Sequence, residues 1–300
     1  MSGAGPAPAR SLALAAPAKI NLFLHVLGRR DDGYHLLDSL IAFARLGDRI
    51  EVAPAPGLSL TVEGPFAAGL SAGEDNLALR AARALADRVR PDAGAAIRLT
   101  KNLPVASGIG GGSADAAATL RALVRLWRLD LDADALARLG LRLGADVPIC
   151  LFGRPARVGG IGETIMPAPA LPAVGVVLVN PRVPVSTGAV FSRLGGRYSR
   201  PASPMPGVAS VSQLADWLAE QRNDLEAPAL SLAPSIGDVL AALSASGQCL
   251  LARLSGSGAT CFGLYPDGSA AASAARALGG RHADWWVAAT GLADGAPSRP

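Results

Sequence analysis

Lys19 and Lys101 are the only lysines among the 28 cationic residues of this 300-residue chain. A compact ammonium can meet a single phosphoryl oxygen, which a planar guanidinium does poorly. Both lysines therefore stand out against an arginine background that reads as genomic base composition. The strongest chemical signal is the run from Pro104 to Ala114, PVASGIGGGSA. Three consecutive glycines let the backbone reach positive φ and bring several amides against a ligand. At a helix N-terminus such amides and the macrodipole suit phosphate, and the hydroxyls of Ser107 and Ser113 add donors. No Gly-Lys-Ser/Thr closes the run, and Ser113 stands where a dinucleotide fingerprint needs its last glycine. A flexible linker is the plain alternative, a poor one between two regular elements.

Asp146, in GADVP, is an ordinary turn or capping aspartate unless a cation such as Lys19 and a partly dry setting make it a base. Asp31-Asp32-Gly33 is turn chemistry. Tyr34 and His35, which follow it, are either core or edge residues, or a stacking and hydrogen-bonding platform for an aromatic base. Ser255-Gly-Ser-Gly258 is equally a simple turn or a second anion contact.

These residues need elements to carry them. Residues 18–26 alternate, with Lys19, Asn21, Phe23 and His25 on one face and Ala18, Ile20, Leu22, Leu24 and Val26 on the other. Extended runs follow at 34–43, 49–53 and 58–62. The spacing then predicts a helix over 76–89 ending before Pro91, a strand over 95–100, the Gly-rich loop, and a helix over 113–127. A helix over 133–143 is capped by Asp132. Later come strands at 174–179, 249–254 and 260–265 and helices at 212–221, 234–246 and 269–278. This is an α+β chain in two units, 11–165 and 166–292. Residues 1–10 read as a frayed leader and 193–211 as an exposed, mobile loop.

Half of the residues are hydrophobic and 17% are charged, which excludes disorder driven by low hydrophobicity. The net charge of +4 is spread without a basic stripe, arguing against nucleic acid. Three distant cysteines show no metal spacing and read as reduced thiols. No secretory signal is legible, and the uncharged stretch 164–181 is broken by prolines, so a cytoplasmic protein away from membranes is expected.

The segments PAKINL, DGYH, KNLP with the Gly-rich run, GADVP and LSGSGA occur in this order. In this the chain resembles the GHMP (galactokinase, homoserine, mevalonate, phosphomevalonate) kinases from about residue 15 to 289. PAKIN and DGYH point to the branch that phosphorylates a polyol linked to cytidine diphosphate in non-mevalonate isoprenoid synthesis. The resemblance implies an N-terminal domain like the second domain of ribosomal protein S5, a ferredoxin-like C-terminal domain, ATP and Mg²⁺ as cofactors, and a monomer or weak homodimer. It maps the ATP loop onto Pro104, Val105, Ala106, Ser107, Gly108, Ile109, Gly110, Gly111, Gly112, Ser113 and Ala114. Adenine contacts map onto Asn76, Leu77 and Lys101, and the catalytic pair onto Lys19 and Asp146. The substrate pocket maps onto Asn21, Tyr34, His35, Thr187 and Phe191. Ala106-Ser107 replace a frequent glycine, which should stiffen the loop. Asp115 replaces a frequent Asn and is expected to favour the helix N-terminus rather than to assist Mg²⁺. The rivals are a homoserine or mevalonate kinase of the same family, and a nucleic-acid-binding protein.

Overall fold

The computed structural model describes residues 11–90 and 92–293. The leader at 1–10 and Pro91 lie outside the described residues. The first alternating run extends both ways into β1 (Leu12–Arg29). The runs at 34–43 and 49–53 fuse into one strand, β2 (His35–Pro54), antiparallel to β1. Both long strands are continuous because each has a partner along its whole length. Next come β3 (Leu58–Glu63), α1 (Leu77–Val89), β4 (Ala95–Thr100), α2 (Gly111–Leu126) and α3 (Ala133–Leu143). Asp132 caps α3 as expected, its side chain accepting from the Ala135 amide. Three short elements went unread: α4 (Val147–Phe152), which starts around Pro148, and the strands β5 (Ala156–Gly160) and β6 (Thr164–Pro167). Together the six strands form one sheet with the path β3-β4-β2-β5-β6 and β1 on β2.

The second half holds β7 (Gly175–Asn180), α5 (Thr187–Ser192), α6 (Val211–Ala219), α7 (Glu226–Leu232) and α8 (Ser235–Ser244). It continues with β8 (Leu251–Leu254), β9 (Cys261–Tyr265), α9 (Gly268–Arg281) and β10 (Trp286–Gly291). Its sheet is antiparallel, in the order β10-β7-β9-β8. The helices α5 and α7 and the strand β10 have no counterpart in the sequence reading. A cut between 165 and 166 passes through β6.

The halves share a core. Ile20, Leu22 and Phe23 of β1 pack with Val176, Leu178, Phe262, Leu264 and Trp217, each such fully buried side chain contributing about 1.5–3 kcal/mol. Leu24 and Val26 join the core of the second half instead. The buried guanidinium of Arg253 fastens the join, donating to the carbonyls of Leu22, Leu218 and Gln221. Burial lowers its pKa to about 10.

The 193–211 segment is exposed but pinned. The Ser199 amide donates to Val26 O at 2.8 Å, the Ala202 amide to Asp38 Oδ2 at 2.7 Å, and Arg200 O lies 3.1 Å from His25 Nδ1. Among the described residues no helix is long and apolar enough to cross a membrane. The three cysteines are unpaired, and burial pushes the thiols of Cys150 and Cys261 up.

Candidate active site

Between the two halves lies a cavity of about 1340 Å³. The register of β1 slips between Pro17 and Lys19 and again between Asn21 and Phe23. Such bulges re-aim side chains. At the first, the Lys19 amide donates to Ile109 O at 2.9 Å, joining the strand to the Gly-rich loop. Lys19 and Asn21 then share one face, as their spacing predicts, and both line the cavity. The second slip resets the parity. Leu24 reaches the cavity, and Phe23 turns into the shared core against Trp217. The predicted alternation therefore fails beyond Asn21.

The Lys19 ammonium, almost wholly buried, lies 3.1 Å from Asp146 Oδ2 and donates to Asn21 Oδ1 at 3.0 Å. Asn21 is itself fixed, donating from Nδ2 to Ser39 Oγ at 2.8 Å and from its amide to Ser255 Oγ at 3.2 Å. Asp146 stands at the cap position of α4, yet its side chain makes no capping bond. Its carboxylate is 45% exposed and faces the cavity beside a held cation.

Against the Lys19 stem the loop ends at Gly110, which opens α2 in the left-handed region with no side-chain cap. The first amides of a helix lack carbonyl partners within it. Those of Gly111, Gly112 and Ser113 begin α2 at the cavity wall. Gly108, at φ +76, is required by a close approach: a Cβ there would stand 2.5 Å from Gly258 O. The Thr260 amide donates to Ser107 O, so the 255–258 turn backs the Gly-rich loop. Ala106 takes φ 51, a left-handed strain unusual for alanine.

Also lining the cavity, His35 and Phe191 stack at 4.8 Å, inclined by 25°. Phe191 and Thr187 are four residues apart on α5 and so face the same way, and Thr187 Oγ1 lies 2.8 Å from Ser257 Oγ. Tyr34, next to His35 in the chain, is exposed and lines it too. Burial, with Arg29 adding, lowers the His35 pKa. Its imidazole is neutral at neutral pH and can both donate and accept.

The family model for the GHMP kinases N terminal domain matches residues 76–154, and that for GHMP kinases C terminal matches 206–284. A 4-diphosphocytidyl-2-C-methyl-D-erythritol kinase of Paramagnetospirillum magneticum is 54% identical over 93% of this chain and 97% of its own. One from Ruegeria pomeroyi is 58% identical over 91% and 96%. The crystal structure of a 4-(cytidine 5'-diphospho)-2C-methyl-D-erythritol kinase superposes with a TM-score of 0.78 at 36% identity, covering 94% of this chain and 99% of that one. The chain belongs to the GHMP kinases. Among them it groups with the 4-diphosphocytidyl-2-C-methyl-D-erythritol kinases. A homoserine kinase from Cytophaga hutchinsonii, at 19% identity and a TM-score of 0.70, shares the fold.

Within this GHMP kinase the cavity gathers most of the residues singled out in the sequence, with exceptions. Ile109 and Ala114 are buried in the core and do not line it. The Ser107 hydroxyl is spent on Pro104 O at 2.7 Å, so it is not the free donor expected. Asn76 and Leu77 line the cavity at the start of α1, but the Asn76 amide already caps Ala78 and donates to Ser71 O. Lys101 lines the cavity with its polar groups partly engaged. Its ammonium is bound to Asp48 and Asp115, its amide donates to Glu63 O, and its carbonyl accepts from Phe66. Asp115 lines the cavity and is buried as the partner of Lys101.

Sequence reasoning missed Ser39, Asp48 and Tyr198, none of which carried a signal. Ser39 and Tyr198 line the cavity, and Asp48 lies under the loop. Ser257, from the 255–258 turn weighed as an anion contact, lines it too.

Proposed function

We propose that the protein transfers the γ-phosphoryl group of ATP to the 2-hydroxyl of 4-diphosphocytidyl-2-C-methyl-D-erythritol, giving the 2-phosphate and ADP. The observation that carries this reading is one cavity lined by the Lys19–Asp146 pair, the first residues of α2 and the His35–Phe191 stack.

Phosphoryl transfer asks a protein mainly to position two reactants and neutralise spreading charge. The amides of Gly111, Gly112 and Ser113 bind the triphosphate. Asp146 takes the proton from the substrate hydroxyl as its oxygen bonds to the γ-phosphorus, and the bond to the β-phosphate oxygen breaks, leaving ADP. Lys19 pairs with Asp146 and meets the hydroxyl or the moving phosphoryl. Asn21 holds Lys19 in place. Tyr34 and Phe191 stack on cytosine and His35 reads its polar edge, with Thr187 beside them. Residues 11–167 form the nucleotide half and 175–291 complete the substrate end.

Among the described residues no three His, Cys, Asp or Glu side chains gather for a metal ion. Mg²⁺ carried chiefly by phosphates and water needs only one or two protein oxygens. Ser113 lines the cavity and would offer its hydroxyl as one, and the ion would neutralise phosphate charge.

Phosphorus NMR after incubation with ATP, Mg²⁺ and the cytidine substrate should show a new phosphomonoester and equimolar ADP. Turnover of homoserine or mevalonate, without turnover of the cytidine alcohol, would overturn the substrate. Tyr34→Ala should raise KM for the cytidine substrate by about 10-fold, the scale of one base–aromatic stack, with kcat little changed. Tyr34 is 59% exposed, so its truncation leaves the core intact. An unchanged KM removes it from the pocket.

A further inference from the structure

Two anionic reactants, ATP and a cytidine diphosphate, meet in the proposed reaction, so the cations on the cavity wall matter. Among the described residues three cationic side chains line it: Lys19, Lys101 and Arg29. The first two are committed. Lys19 lies 3.1 Å from Asp146 Oδ2, and Lys101 is held between Asp48 and Asp115. Arg29 differs. It is exposed, and among the described residues its guanidinium makes one polar contact, Nε donating to Gly33 O at 3.2 Å. Both terminal nitrogens stay available. A Cβ on Gly33 would stand 3.5 Å from Nη2, so the side chain lies along the turn that leads into Tyr34.

The strand register fixes where that side chain faces. On β2, His35, Leu37, Ser39 and Ile41 line the cavity at period two. Arg29, the last residue of β1, pairs directly with His35, the first of β2. Partners across an antiparallel pair project from one face with Cβ atoms about 4.5–5.5 Å apart. The parity that Leu24 sets on β1 would bring Gly28 to this face; the slip between Val26 and Gly28 brings Arg29 instead. The Arg29 charge also adds to the lowering of the His35 pKa, of which burial is the larger cause. Along β2 the partner of Lys19 is Phe43, eight positions from His35 (35 to 43) and roughly 25 Å of strand away. The Gly-rich loop closes on Lys19, so Arg29 stands well apart from the place proposed for the ATP phosphates.

We infer that Arg29 pairs with the diphosphate of the cytidine substrate and makes the site select a nucleoside diphosphate over the bare nucleoside. This rests on the reading of the cavity as the site of a cytidine diphosphate. With the base at His35, the diphosphate follows after one ribose, within the span of an arginine side chain. A guanidinium fork meets two phosphate oxygens at once and keeps its charge at every working pH. Without it the substrate phosphates would face a wall whose other cations are already paired with Asp48, Asp115 and Asp146.

The test is calorimetric titration of the full chain with cytidine and with CDP. The unaltered protein should bind CDP at least about 10-fold more tightly than cytidine, the scale of hydrogen bonds to a charged group. Arg29→Met should weaken CDP at least about 10-fold and leave cytidine within about 2-fold, so the preference disappears. The residue is exposed and Met keeps most of its stem, which spares the fold. Arg30→Met is the control for net charge. Arg30 is next in the chain, pairs with Asp32 at 2.7 Å and does not line the cavity; its loss should leave CDP within about 2-fold. Equal weakening of CDP and cytidine by Arg29→Met would overturn the inference, because the arginine then supports the turn or the base. So would equal loss of CDP affinity in Arg29→Met and Arg30→Met, which is general charge without a contact. An unaltered protein with no preference for CDP overturns it too. Failure of the unaltered protein to bind either ligand sinks the substrate reading itself, and that failure appears before any variant is made.

Discussion

Asp146→Asn should lower kcat by at least ~10²-fold, the usual contribution of a positioned general base, while ADP affinity stays within a few-fold. The geometry isolates the chemical role. The side chain makes no capping bond to α4 and is 45% exposed, so the substitution removes no hydrogen bond that the helix uses. The amide keeps an oxygen that can accept from Lys19, and the ammonium still has Asn21 Oδ1 at 3.0 Å. What is lost is the negative charge facing Lys19 and with it the ability to take a proton. A structural aspartate would instead show a lowered Tm with kcat little changed, and turnover like that of the unaltered protein ends the assignment. Stopped-flow turnover, calorimetric ADP titration and a thermal melt on the same sample separate these outcomes.

What makes that test clean was partly legible in the sequence. The glycine run and the alternation of 18–21 mark a loop that opens a helix and two polar side chains on one face without any structure, because glycine placement and period-two spacing are local signals. The same logic failed at Phe23 and Leu24. A bulge changes the parity of everything after it and leaves no mark in the residue types. The commitment of Lys101 was illegible for a different reason. Its partners Asp48 and Asp115 lie 53 and 14 residues away, and only the tertiary fold brings them together.

The short elements fell below what periodicity can resolve. A six-residue helix such as α4 shows less than two turns of pattern, and β6 hides in a proline-rich stretch that also reads as a break. The 193–211 segment was misread because its exposure suggested freedom. Its restraint comes from main-chain bonds to Val26 and to the Asp38 carboxylate, which composition does not display. Local backbone chemistry was therefore readable, whereas long-range pairing of charges and main-chain groups was not.

Lys19→Arg, a change that keeps the charge, should still cost kcat about 10²-fold or more, the scale for losing one preorganised donor to a developing negative charge. The lysine stem has no room to become a fork. Its Cε and Cβ lie 3.1 and 3.2 Å from where a Cβ on Gly110 would stand, so the loop is closed down onto it. A guanidinium is planar, longer and wider than an ammonium. It would push against Gly110, lift the start of α2, and turn its nitrogens past Asn21 Oδ1 instead of toward Asp146. Lys19→Met separates shape from charge, since it fits the channel and lacks the cation. If position and charge are both needed, the two variants lose similar amounts of kcat, with Lys19→Arg alone also weakening ADP through the displaced loop. If charge alone matters, Lys19→Arg keeps near-normal turnover, and the argument from the closed loop fails. Initial rates under saturating ATP and cytidine substrate, beside ADP titrations, decide between them.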